Sequence, residues 1–404
     1  MLRLTVRKRK DVFVYLSTVV FSILFILVGN RIAMRHVVDR SDSDDVIEQA
    51  KVTKIVERVS DDEMLSDGEI GENTVVTFVA EITKGERKGM SIVATQAIES
   101  YESMTTREVQ QGDRILLYER TIVEGEDPTW VFGEYLRTPT LYKLLAIFFV
   151  AILLFGRFKG FNTIVSLAFT CLAVFAVFIP SILSGYNIYF WSILVSVFIT
   201  AMTLLLIYGA SQKSLAAALG CIGGVLVAGA LTLIMDRGLM LTGITSEDSV
   251  FLLYLDTPNP ISLKAIIFAA IIIGAIGAIM DVSISISSAL SELRDNAQNP
   301  TFGLLLRSGL SIGRDMMGTM ANTLILAYIG SSLSTVVLLV AYNSSLLELF
   351  NREMIVVEIL QSLVGSLGML LTIPLTSLIS ASLYTGRWWA RRRSPQPVHE
   401  DEEI

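Results

Sequence analysis

Two clusters of polar side chains interrupt the long apolar stretches of this chain, and the spacing within each gives it a single face. In MDVSISISSALSELRDN, Asp281, Ser285, Ser288 and Glu292 recur at i, i+4, i+7 and i+11, which lines one side of an α-helix. In SGLSIGRDMMGTMANTLILAYIG, Asp315, Thr319 and Asn322 do the same, with Arg314 beside the aspartate and Gly313 and Gly318 thinning the helix around them. Polar groups inside a membrane are costly and are functional suspects by default. Two carboxylates brought together in a poorly hydrated place titrate closer to neutrality, which is what a proton or cation relay needs. Asp281 and Asp315 are therefore expected to meet at a shared site if the loop from 283 to 313 folds back along the membrane, with Thr319, Asn322, Ser285 and Ser288 as polar lining. The same residues fit a structural role equally well, as interfacial carboxylates paired with Arg294, Arg307 or Arg314. Glu358 and Gln361, one turn apart near the start of the last apolar run, are weaker candidates. Asp236 and Arg237 read as an interfacial ion pair.

The elements that must position these groups follow from hydropathy. Hydrophobic residues make up 52% of 404 positions and charged residues only 18%, a balance that points to the bilayer as solvent. Apolar runs fall at 12–29, 140–156, 161–182, 188–208, 214–235, 261–282, 316–341 and 355–384. Each is long enough to span a bilayer as a helix, the one conformation that satisfies its own backbone there, and the run at 140–156 is the shortest. The first follows five basic residues and lacks a clear small-residue cleavage site, so it reads as a retained anchor rather than a signal peptide. Small residues recur every four positions at Ala216, Gly220, Gly224 and Ala228, and again at Ala270, Gly274 and Ala278. These are seams for close helix packing, and the second lies on nearly the same face as Asp281. Pro180 and Pro374 are expected to bend their helices.

Lysine and arginine number fifteen on the segments that share a side with the N-terminus and eight on the other side, which puts both termini in the cytoplasm. The tail RWWARRR adds interfacial tryptophans beside a basic cluster, suited to an anionic leaflet. The expected organisation is a cytoplasmic N-terminus and anchor (1–30), an extracytoplasmic β-rich domain (31–139), a seven-helix membrane domain (140–386) and a cytoplasmic tail (387–404). Within the second part, VIEQAKVTKIVERV, NTVVTFVAEITKG, MSIVATQAI, DRILLYERTIV and TWVFGEYLR are β-branched and aromatic runs separated by turn signals. Five such strands predict a small barrel of the OB type. The stretch from 31 to 143 has 14 basic against 23 acidic residues and no aromatic stacking platform, so it suits packing or a protein partner better than a polyanion or nucleic acid.

The chain carries no HExxH, Walker, GxSxG or Rossmann pattern. The GxGD signature of intramembrane aspartyl proteases is absent as well. Two cysteines and two histidines exclude a disulfide framework and an ordinary zinc site. A non-enzymatic protein without metal or cofactor is expected, with the lipid bilayer and a protein partner or a second copy of itself as its partners.

GAIGAIMDVSISISSALSEL (274–293) and SGLSIGRDMMGTMANTLILAYIGSSL (308–333) closely resemble the YibE/F family of bacterial membrane proteins. The anchor, the strand-rich domain with Lys88-Gly89 and Gly112-Asp113 turns, and the helical block extend that resemblance over most of the length. It implies a multi-pass protein of the bacterial plasma membrane and transfers no catalytic residue. The order of anchor, outer domain and helical block is also similar to half of an RND-type permease or to the SecD/SecF proteins. Seven spans after the domain, in place of five, leave no residue to carry across. Together these readings favour a permease-like transporter with an aspartate-based ion or proton coupling site. The alternative is a non-transporting assembly or sensing subunit whose outer domain binds a partner.

Overall fold

A computed structural model describes residues 2–37, 46–64, 70–99, 106–120, 129–255, 257–342 and 345–385. The tail with its tryptophans and arginines lies outside the described residues. Two compact units result, one of residues 1–38 and 152–404, the other of residues 39–151.

The smaller unit is built on β1 (Ile47–Met64), β2 (Ile70–Ile82), β3 (Ser91–Ile98), β4 (Arg114–Arg120) and β5 (Thr129–Tyr135). They close into a barrel in the order β1-β2-β3-β5-β4, with β3 and β5 parallel and the other pairs antiparallel. The five predicted strand runs are these five strands. Alternation sends Val76, Phe78 and Ala80 of β2 inward, where they meet Val52, Ala94, Ile115 and Leu117. The Lys-Gly and Gly-Asp signals are turns that need a left-handed residue: Gly89 has φ 89° and Gly112 φ 97°. Asp113 then accepts from the Gln110 amide at 2.9 Å and pairs with Arg107 at 3.0 Å. Trp130, Phe132 and Tyr135 pack against the barrel core. The Tyr135 hydroxyl donates to the Arg107 carbonyl at 2.6 Å, and burial above all pushes this phenol above its ordinary range.

Helices make up the rest. Among the described residues, six are long and apolar enough to cross a membrane, or seven if one bent pair counts as a single span. The first is α1 (Leu2–Ala33). The sequence segments at 140–156 and 161–182 run together, through α2 (Thr138–Leu172), a π-helical stretch at Ala173–Phe178 and α3 (Ile179–Leu183), which carries Pro180 in its first turn. They are divided at Arg157, whose backbone leaves the helix at φ 50°, ψ −127°. The unit boundary accordingly falls within α2 at 151, not ahead of it at 139. Leu154, Phe155 and Phe158 around the break are exposed, a surface that suits lipid.

α4 (Ile188–Tyr208), α5 (Gln212–Leu239), α6 (Glu247–Leu253) and α7 (Leu263–Asn296) follow, with Asn187, Ser211, Ser246 and Ser262 as N-caps. Then come α8 (Phe302–Ser331), α9 (Leu333–Tyr342), α10 (Leu346–Leu349) and α11 (Glu353–Thr385), which holds Pro374. The predicted span at 316–341 is the bent pair, since α8 and α9 meet at 68°. Asp236 at the end of α5 faces Lys264 of α7 at 3.7 Å, so its ion pair is with the neighbouring helix rather than with Arg237.

The predicted loop from 283 to 313 is a correction. Residues 283–296 continue α7, and 302–313 are the first turns of α8. Polar side chains there end the apolar run without ending the helix. The break is confined to 297–301, where Thr301 after Pro300 caps α8 by accepting from the Leu304 amide at 3.3 Å. Thr301→Ala is expected to cost about 1 kcal/mol, read as a lower unfolding midpoint of the protein in detergent.

Candidate functional site

The packed face of α7 decides what Asp281 can do. Ile272, Ala275, Ile279, Val282, Ile286 and Leu290 are buried, whereas Gly274, Gly277, Asp281 and Glu292 are exposed and Ala278, Ser285 and Ser288 half-buried. The stripe read from the sequence is one face, as its spacing requires, and it is the less covered face of the helix. Among the described residues no hydrogen bond or ion pair engages the Asp281 carboxylate, and Arg294 is instead bound to Asp295 at 2.9 Å and to Gln212 at 3.0 Å.

α8 lies against α7 and α11 through Leu305, Gly309 and Gly313, all buried. A Cβ on Gly309 would stand 2.5 Å from Ser377 Oγ and 3.0 Å from Leu290, and one on Gly313 would stand 2.1 Å from Ile373. At the far end the Tyr328 hydroxyl would meet a Cβ on Gly274 at 2.4 Å. These contacts set α7 and α8 antiparallel, with residues near about 320 of α8 level with Asp281. Asp315 follows Gly313 by two residues, roughly 200° around the helix. It therefore projects from the face opposite the packed one and is exposed, as are Arg314, Gly318, Thr319 and Asn322. Asp281 and Asp315 are thus each exposed, one on α7 and the other on α8. Thr319 also donates to the Met316 carbonyl of its own helix at 3.0 Å, and a Cβ on Gly318 would meet nothing within 4 Å.

What the fold shelters instead is a column of hydroxyls on α11. Glu358, Ser362, Ser366, Thr372, Thr376, Ser380 and Tyr384 follow one face at helical spacing, and from Ser362 onward all of them are buried. At one end Glu358, Ser362, Tyr328 and Ser332 join a mostly aliphatic lining, with Ile325 and Val336 among it, around a cavity of about 260 Å³. In the middle, Thr376 Oγ1 donates to Ser283 Oγ at 3.4 Å and Thr372 to the Gly368 carbonyl at 2.7 Å. At the other end the Tyr384 hydroxyl is 2.8 Å from Ser287 Oγ, which donates to the Lys213 carbonyl at 2.8 Å, and Arg294 stacks on the Tyr384 ring at 4.8 Å. The seam on α5 makes room for this column. A Cβ on Gly220 would stand 2.0 Å from Thr376 Oγ1, and one on Gly224 1.8 Å from Thr372 Oγ1. Thr372, Thr376 and Tyr384 are satisfied by the protein, whereas the hydroxyls of Ser366 and Ser380 in the column, and of Tyr328 beside it, are buried without a partner. An unpaired buried hydroxyl carries a desolvation cost unless water or a ligand reaches it.

The sequence offered Glu358 only as a minor candidate and did not single out the hydroxyl column. Its signal was present in the four-residue recurrence from 358 to 366 and from 372 to 384, inside a run that hydropathy reads as uniformly apolar.

A model of one protein family, described as YibE/F-like protein, matches residues 144–386. No curated protein and no solved structure matches the chain.

Proposed function

The chain belongs to the YibE/F-like protein family and is a multi-pass membrane protein; from that premise we propose that it is a non-enzymatic, permease-like transporter. In this reading it sits in a bacterial plasma membrane with both termini cytoplasmic and couples an ion or proton to movement of a solute. The observation that carries the reading is the hydroxyl column running along α11 from the Glu358 cavity to Tyr384, where the buried hydroxyls of Ser366, Ser380 and the adjoining Tyr328 have no protein partner. Polar groups in a membrane interior are retained chiefly where water, ions or protons pass. In this reading Asp281 is the coupling acid: among the described residues no ion pair neutralises it, so taking up a proton or cation is the way its charge leaves the bilayer.

The test is flux into proteoliposomes under an imposed pH or cation gradient, with folded yield in detergent measured alongside. Asp281→Asn and Glu358→Gln are each expected to bring gradient-driven uptake to background at unchanged yield. Wild-type flux in Asp281→Asn would remove the aspartate from the mechanism, and a wild-type protein passing neither protons nor cations would end the transport reading.

A second reading, an assembly or sensing subunit, draws support from the polar face of α8. Arg314, Asp315, Thr319 and Asn322 are exposed along a helix in the membrane-spanning part, where lipid is a poor neighbour for them. A second copy or another membrane protein covering that face would satisfy them. Asp315→Ala at unchanged flux with loss of a copurifying partner would favour this subunit reading.

A further inference from the structure

At the end of the bundle where α4 ends and α5 begins, the helices leave a cleft of about 870 Å³ beside the Tyr384 end of the hydroxyl column. Lys213, Arg294, Gln212 and Ser291 line one part of it, and Leu204 and Leu205 line another. The cleft is thus polar and cationic at its rim and apolar along the membrane-facing helices. Its charges do not cancel. Arg294, only 16% exposed at its side chain, is bound to Asp295, the one carboxylate among the described residues that line the cleft. Lys213 has the Tyr208 ring beneath its ammonium at 5.1 Å and no carboxylate partner among the described residues. The surplus is one positive charge, reinforced by α5, whose first turn begins at Gln212 and directs backbone N–H groups without intrahelical partners to the same place.

We propose that this cleft binds a phosphate group, with Lys213 as its principal cation, Arg294 and Gln212 as the fixed wall behind it, and Ser291 as a hydroxyl donor. The leucine wall suits the acyl chains of an anionic phospholipid, so the source of the phosphate is expected to be a lipid headgroup. The inference does not depend on transport.

The full-length protein in detergent would be titrated with phosphatidylglycerol, phosphatidylcholine and inorganic phosphate in parallel. Thermal unfolding and lipid retention in native mass spectrometry would be followed. Phosphatidylglycerol is expected to raise the midpoint more than phosphatidylcholine, and Lys213→Gln to weaken that response about fivefold, the worth of one interfacial cation. Lys213→Arg, which keeps the charge, is expected to retain the response, and Ala218→Leu, which narrows the cleft without touching its cations, to lose it. The last two variants decide the matter if Lys213→Gln folds poorly. The same pattern with inorganic phosphate alone would assign the site to a free phosphate. Equal responses to the two lipids, or a Lys213→Gln protein that responds like the wild type, would overturn the proposal.

Discussion

Alanine at both Gly220 and Gly224 is expected to cost the helical unit roughly 4 kcal/mol, the middle of the range for overpacking at two sites. Each new methyl would enter space already held by a threonine oxygen, at 2.0 Å and 1.8 Å respectively, and Gly220 would also face the Thr376 Cα at 3.1 Å. Neither threonine can swing away cheaply. Both are β-branched and buried, and the Thr372 hydroxyl is bound to the Gly368 carbonyl. On Gly224 the methyl would also stand 2.9 Å from Ile279, so α5, α7 and α11 must all part to admit it. The gain in helix propensity on replacing two glycines, about 2 kcal/mol in total, works in the opposite direction and is smaller than the clash. Gly318→Ala is the control: with nothing within 4 Å of the new atom, only the propensity gain remains, about 1 kcal/mol of stabilisation. Unfolding midpoints in detergent for the double variant and the control should move in opposite directions. An unchanged midpoint in the double variant would mean that α5 and α11 do not meet along this seam.

Phe78→Ala should cost the barrel about 3–5 kcal/mol. Phe78 is fully buried at the centre of the inward stripe of β2, enclosed by Val52, Ala94, Ile115 and Leu117 from three other strands. Its neighbours are already packed in a small barrel core and cannot collapse into the void, so the transfer and cavity terms both apply. Limited proteolysis of the strands at increasing temperature would read the loss, and Phe78→Leu should restore most of it. Resistance equal to that of wild type in Phe78→Ala would contradict a barrel core centred on this ring.

The helices and strands were largely legible because they rest on local regularities. Apolar runs of membrane length mark α1, α4, α5, α7 and α11, and β-branched runs bounded by Gly-Asp and Lys-Gly mark the barrel strands. The missed helical turns at 283–296 and 302–313 have a simple cause: hydropathy records the surroundings of a helix and not its hydrogen bonding. Serines, glutamate and arginine closed the apolar windows while the backbone continued. The Asn299-Pro300-Thr301 signal for the true break was there to be read.

The candidate site was less legible, because spacing says which residues share a face but not what that face meets. Asp281 with Ser285 and Asp315 with Asn322 do form stripes. Only the packing of Gly309 and Gly313 on α11 reveals that Asp315 looks away from the bundle. Serine and threonine weigh little on a hydropathy scale, and the α11 column stayed hidden for that reason.

β1 outlasts its neighbour in the barrel. Its pairing with β4 ends at Lys51, whereas its pairing with β2 continues to Met64, so from Thr53 onward no described strand lies along its other side. An unpaired flank of that length is an invitation to intermolecular sheet growth. Lys54, Glu57, Arg58 and Asp61 lie along it, and charges of both signs there make any foreign strand desolvate ions before it can bond. Neutralising those positions together is therefore expected to raise self-association through this hairpin, read as a concentration-dependent rise in apparent mass.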